Sequence, residues 1–201
     1  MLLSGGNVYR MSLESNMKEG FVSLPGEISA APGSNNVYNT RRILGIDPGF
    51  AATGWGVIDV CGNRYRHVAH GTIETSNKTP HQLRLLEIYN RMEALVLEYK
   101  PAEAGMESLY FAKNVTSAMA VSEARGVIIL CLTQNAVALS EFSPLSIKQC
   151  VVGSARAEKK HIQEYVKLLL GLDEIPKPDH AADALAAAIT YVHSNVTKVE
   201  L

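Results

Sequence analysis

The sequence has few cysteines, almost no net charge and no long apolar run, and each shortage narrows the field. Its three cysteines, Cys61, Cys131 and Cys150, are far apart and have neither disulfide-framework nor zinc-ligand spacing. They indicate a reducing compartment, and the expected location is cytoplasmic. Although 47% of the residues are hydrophobic, no uninterrupted stretch reaches the length of a bilayer span, so no membrane association is expected. A formal net charge of −1 gives the chain no overall basic bias. Any nucleic-acid surface must therefore come from local clusters of Lys and Arg. No internal repeat is visible. With 201 residues the chain can still bury a sizeable single-domain core.

The first forty residues differ from the rest. Gly-Gly, Pro-Gly-Glu and Ala-Pro-Gly-Ser-Asn-Asn segments with scattered Ser carry no sustained apolar period, the composition of a disordered extension. Arg10 and Lys18 face three glutamates there and no apolar signal core is present, so a targeting role is a weak reading. Met11 and Met17 leave room for a downstream start. The expected organisation is an extension over 1–40, a folded domain over 41–195 and a short tail over 196–201.

From Arg41 the pattern is regular. Apolar or alternating runs predict strands at 42–47, 53–61 and 64–74, with Gly62-Asn63 turning the last two into a hairpin. Leu83, Leu86, Ile88, Met92, Leu95 and Val96 predict an amphipathic helix from about Pro80 until Pro101 closes it. A fourth strand over 102–109, a helix over 115–133 and a fifth strand over 136–142 follow. Further helices are predicted near 144–151, 157–171 and 180–194. This order gives an α/β fold: a mixed five-stranded sheet flanked by helices.

Three carboxylates fall where that topology converges. Asp47 ends an apolar strand, Ile43-Leu44-Gly45-Ile46-Asp47, at a Pro48-Gly49 turn. Glu107 stands late in the fourth strand, the natural parallel neighbour of the first. Asp183 is expected in the first turn of an Ala-rich helix, with Asp179 as its N-cap, and His180, three residues earlier, shares its face. A buried carboxylate needs compensation, and oxygen ligands with one imidazole suit Mg²⁺ or Mn²⁺ better than zinc. Two such ions about 4 Å apart would clamp a phosphodiester. Taken singly, each residue has a plainer reading. Asp47 could cap its turn, Glu107 face solvent, Asp183 complement the helix dipole, and His180 be structural.

Together these segments resemble a known family. ILGIDPGFAATGWG (43–56), ESLYFAKN (107–114), EARG (123–126), KQCVVG (148–153), AEK (157–159) and HAADALAAAITYVH (180–193) are similar, in order and spacing, to the RuvC Holliday-junction resolvases. The similarity runs from about Arg42 to Ser194, and the first forty residues have no counterpart in it. The resemblance implies a ribonuclease-H-like fold and a homodimer that cuts two opposed strands of a four-way DNA junction, leaving ends a ligase can seal. It further implies divalent-metal hydrolysis with Mg²⁺, two ions per site, and a branch-migration complex of RuvA and RuvB as partner.

Carried over by position, Asp47, Glu107, His180 and Asp183 are the implied catalytic and metal-binding residues. Family members carry Asp or His at the position of His180, so this chain has one formal negative charge fewer than some. Tyr110 aligns with an aromatic that stacks on bases near the crossover, with Phe111 beside it on the opposite face of an extended segment. Lys148 and Lys159 align with residues that meet the phosphate backbone, and Lys113, Arg156 and Lys160 could extend that patch. At Gly153-Ser154-Ala155-Arg156 the chain departs from the family's more glycine-rich wording.

Three other classes compete. A nuclease of the same fold that processes ribosomal RNA precursors also begins with an apolar strand and an Asp-Pro-Gly-like turn, but the Tyr-Phe-Ala-Lys-Asn and Ala-Ala-Asp-Ala-Leu segments argue against it. A sugar-kinase or actin-like ATPase needs a duplicated domain, for which the chain is too short. A non-catalytic junction-binding protein would have lost an acidic position, and none is lost. Because residues 1–40 offer no periodic apolar face to bury, their deletion should leave folding and junction cleavage intact. Aggregation of the truncated chain, or loss of its cleavage activity, would show that they complete the domain.

Overall fold

Strand β1 (Arg41–Asp47) is buried through its middle on both sides, which requires a sheet covered on both faces. The computed structural model, which describes residues 40–108 and 115–196, shows that arrangement. Ile43 packs against one layer of helices, while Leu44 and Ile46 pack against the other. β2 (Ala52–Cys61) and β3 (Arg64–Glu74) follow as antiparallel neighbours. Gly62, at φ 59°, opens their two-residue loop, as such a tight connection requires. Helix α1 (His81–Tyr99) crosses to β4 (Glu103–Glu107), which runs parallel to β1, and α2 (Val115–Gln134) crosses to β5 (Ala138–Phe142). Three helices complete the domain: α3 (Pro144–Val152), α4 (Lys159–Leu170) and α5 (Asp179–Val196). The sheet order is β3-β2-β1-β4-β5, the mixed five-stranded arrangement expected.

Two boundaries differ from the reading of the sequence. β5 begins at Ala138 rather than 136 because α2 ends in a Schellman turn. Ala136 is left-handed at φ 56°, and Val137 N and Ala136 N donate to Leu132 O and Thr133 O. α5 begins at Asp179, so Asp179 is its first helical residue rather than its N-cap, and Asp183 falls in the second turn. Tyr110, Phe111 and Lys113 lie outside the described residues, as do residues 1–39 of the expected 1–40 extension and residues 197–201 of the expected 196–201 tail. Among the described residues no helix is long and apolar enough to cross a membrane.

α5 is the central helix of one face. Ala181, Ala184, Ala186, Ala187 and Ala188 are fully buried, together with Leu185 and Ile189. Such small side chains bring the helix almost onto the strand backbone, and the strands answer with glycines. A Cβ on Gly45 would lie 1.9 Å from the Ala184 carbonyl oxygen, and one on Gly54 would lie 1.9 Å from that of His180. Helix and sheet therefore touch main chain to main chain. Gly45→Ala must push α5 outward and should cost ~3 kcal/mol in urea unfolding, at the upper end of ordinary overpacking. A cost below about 1 kcal/mol would show that this contact is slack.

Candidate active site

Asp47 is held in place by the turn after it. The fully buried Thr53 hydroxyl donates to Gly49 O at 2.6 Å and accepts from Gly49 N at 3.3 Å. The Thr75 hydroxyl donates to Phe50 O at 2.6 Å, and Arg84 donates to the same carbonyl at 3.3 Å. The Arg84 guanidinium also lies 3.8 Å from the Phe50 ring centroid, a cation–π contact. Every polar group of this turn that these bonds engage is tied to β2, to Thr75 just past the end of β3, or to α1, so the strand end has little freedom.

Asp47 pairs across the sheet with Gly54, and Gly54 lies against His180. The missing side chain at Gly54 is what lets His180 reach Asp47. His180 Nδ1 donates to Asp47 Oδ2 at 2.7 Å. Asp183 is one turn further along the same helix face, and one ligand atom from each of Asp47, His180 and Asp183 lies within 4.8 Å of the others. The parallel register pairs Ile46 with Met106, so Asp47 and Glu107 follow as the next positions, both on the α5 face. Glu107 and Asp183 line a cleft of about 210 Å³ together with Lys148 of α3 and Lys159 of α4.

Two acidic positions on the same sheet show how unusual this site is. Asp59 on β2 is only 3% exposed, yet Arg42 and Arg66 both bind it, and despite its burial it stays below the usual carboxylate range. Among the described residues Asp47 has no arginine partner. Burial pushes it above its ordinary value, the His180 hydrogen bond opposes that, and the Asp183 charge adds to the rise. Glu107 is pushed up to about 7, by burial first and then by the Asp47 and Asp183 carboxylates. Three carboxyl groups thus share one partly buried corner with little positive charge to balance them, which is the electrostatic profile of a cation site. The donor set fits a hard divalent ion: carboxylate oxygens and a single imidazole, with no thiolate.

The four residues read from the sequence as one site are gathered here, His180 and Asp183 directly with Asp47, and Glu107 through register and shared charge. Lys148 and Lys159 both reach the cleft, whereas Tyr110 lies outside the described residues. Lys159 is not a free cation on a solvated helix face. Its Nζ is 2.9 Å from Asp183 Oδ2 and 3.4 Å from Asp179 Oδ2. Asp179, left outside the site as a cap, belongs to its margin, and Gln163 Nε2 donates to Asp179 Oδ1 at 3.0 Å. Gln163 went unread, although its spacing of four from Lys159 already put both on one face of α4.

The fold and this cluster define a class: ribonuclease-H-like proteins that collect carboxylates at the adjoining ends of two parallel strands. Residues 43–191 match the family model for the crossover junction endodeoxyribonuclease RuvC. The crossover junction endodeoxyribonuclease RuvC of Treponema denticola is 52% identical over 171 residues, covering 84% of this chain and 93% of the relative. That of Brevibacillus brevis is 51% identical over 150 residues, covering 75% and 90%. Among solved structures, Thermus thermophilus RuvC in complex with Holliday junction substrate superposes with a TM-score of 0.75 at 28% identity, over 79% of this chain and 96% of that one. The chain belongs to the RuvC family.

The raised Glu107 carboxyl has a measurable sign. Its proton is held more tightly in the folded chain, about 7, than in the unfolded chain near 4.5. The folded state therefore binds the extra proton between those values, and stability falls as pH rises through that window. Relative to Glu107→Gln, the wild type without divalent ions should lose on the order of 2 kcal/mol between pH 4.5 and 7.5, read from urea midpoints. A difference that stays constant with pH would mean that Glu107 is not crowded by its neighbours.

Proposed function

We propose that this chain is a structure-selective endonuclease that resolves four-way DNA junctions by metal-dependent hydrolysis of phosphodiesters on two opposed strands. The observation that carries the reading is the approach of Asp47, His180 and Asp183 to within 4.8 Å beside Glu107, in a member of the RuvC family. Mg²⁺ is the cation we assign, held by Asp47, Glu107, His180 and Asp183, with Mn²⁺ as a substitute. Bound there, the ion supplies Lewis-acid stabilisation of the phosphoryl oxygens and an activated water.

The chain's own residues set the rest. Asp47 orients the His180 ring through Nδ1 and leaves Nε2 for a further ligand or proton. Glu107, with a pKa about 7 before any cation binds, must give up its proton to act as a ligand, so cation binding and proton release are linked. Lys148 and Lys159 line the cleft on the α3 and α4 side and supply positive charge for a strand's phosphates. Tyr110 is assigned to base stacking at the crossover by its place in the family pattern. A homodimer would present two such sites to the two opposed strands, with the RuvA and RuvB branch-migration complex as partner and the cytoplasm as location.

Purified protein with Mg²⁺ should nick a synthetic four-way junction at paired positions and leave linear duplex of the same sequence uncut. Equal cutting of both substrates would remove the junction from the reading. Asp47→Asn should abolish cleavage while junction binding at low salt stays within about threefold. Chemistry rests on the cation site, whereas binding rests on phosphate contacts spread over many basic residues. If that variant lost binding as severely as cleavage, Asp47 would be a structural residue.

A further inference from the structure

Arg84 is out of place by the local rules of its helix. It stands in the first turn of α1, where the helix dipole disfavours a cation, and no acidic residue accompanies it there. Nor does it find a carboxylate elsewhere. Arg41, Arg42, Arg66, Arg91 and Arg125 each pair with one, whereas Arg84 has none among the described residues. A residue that breaks a local preference without a local gain is where a functional constraint is expected.

What Arg84 touches is the turn after Asp47. Its Nε donates to the Thr75 hydroxyl at 2.9 Å, and its Nη2 donates to Phe50 O at 3.3 Å. Because the Thr75 oxygen accepts from Arg84, its own proton is directed to Phe50 O, at 2.6 Å. The Thr75 amide donates to the next carbonyl, Ala51 O, at 2.9 Å. The guanidinium lies 3.8 Å from the Phe50 ring centroid, and the centroid of the His81 ring, at the start of α1, lies 4.5 Å from it. His81 Nε2 in turn bonds Glu123 of α2, the first residue of an EARG segment that the catalytic reading leaves unused. One turn of α1 thus holds both the ring and the carbonyl of Phe50, and α2 braces that turn.

Phe50 is three residues beyond Asp47, across Pro48 and Gly49. The ring of Pro48 fixes its φ, and Thr53 holds both main-chain polar groups of Gly49. Few free torsions therefore separate the two side chains, and a shift at Phe50 re-aims the Asp47 carboxylate. That carboxylate has one ligand atom within 4.8 Å of those of His180 and Asp183. We propose that Arg84 is a positioning residue for the cation site, acting through Thr75 and Phe50 to fix the 48–51 turn and with it Asp47. The proposal rests on the metal-dependent reading above, in which Asp47 is a ligand.

The probe is Mn²⁺ alone, titrated into the full chain without DNA and followed by electron paramagnetic resonance of the free ion. Charge and geometry predict opposite signs. If Arg84 acted only through its charge, removing that charge would tighten Mn²⁺ binding. Loss of positioning should weaken it. Arg84→Leu should bind Mn²⁺ about tenfold more weakly, the low end of what misaligned supporting groups cost. Its junction affinity without divalent ions should stay within about twofold, since that rests on phosphate contacts elsewhere. Arg84→Lys keeps a charge over the ring but cannot serve hydroxyl and carbonyl together, and should be about threefold weaker. Thr75→Val removes the shared hydroxyl and should match Arg84→Leu. The double variant should lose little more than either alone, because both act through one carbonyl. If Arg84→Leu does not fold, Thr75→Val and Arg84→Lys decide. Mn²⁺ binding that is unchanged or tightened while only the melting temperature falls would overturn the proposal, as would losses that multiply in the double variant. Failure of the wild type to bind Mn²⁺ at all would instead sink the functional reading.

Discussion

The arrangement depends on main-chain contact between α5 and the centre of the sheet. Gly45 and Gly54 leave no room for even a methyl group under Ala184 and His180. A helix separated from the sheet by ordinary side chains would sit about 10 Å away, the usual spacing of packed layers, and could not pass His180 to a strand-borne aspartate. Here the separation is reduced by pairing glycines in strands with alanines in a helix. The cost is local, since glycine weakens a strand and alanine buries little area. The apolar residues on both faces of β1 and β2 offset it, and they are almost completely buried.

That close approach explains why the site is electrostatically uneasy. Asp59, elsewhere on the sheet, receives two guanidinium groups and stays low, whereas Asp47 and Glu107 are raised by burial and by neighbouring carboxylates, Asp183 in both cases and Asp47 in that of Glu107. Proteins seldom leave buried carboxylates so poorly matched except where the imbalance has a use. Lys159 supplies part of the missing positive charge, at Asp183, while His180 offers Asp47 a hydrogen bond. A hard divalent ion would supply the remainder, and its binding would draw on the repulsion already present. Stability and cation affinity are then opposed in this corner, a familiar trade at functional sites.

Much of this was legible in the residues. The apolar run ending at Asp47, the Pro-Gly turn and the spacing of three between His180 and Asp183 already marked out three candidate ligands. Glu107 followed once β4 was read as the parallel neighbour of β1. What was not legible arises from packing between distant segments. No local pattern says that Lys159 pairs with Asp183, or that Asp179 and Gln163 hold each other across two helices. Ala136 gave no sign of adopting a left-handed cap, because propensity favours glycine there and tertiary context overrode it. The bulge in β3, where Val68 is an extra residue between His67 and Ala69, was equally silent, since it breaks the alternation by which strands are read.

The central claim is that α5 brings His180 and Asp183 to β1 and β4 so that the four side chains hold a divalent cation. The most direct measurement is a crystal structure of the protein soaked in Mn²⁺, with the anomalous signal locating the ion. The account predicts a peak about 2–2.5 Å from carboxylate oxygens of Asp47 and Asp183, with Lys159 displaced or turned toward solvent. A peak elsewhere, or none at Mn²⁺ concentrations that support cleavage, would contradict it.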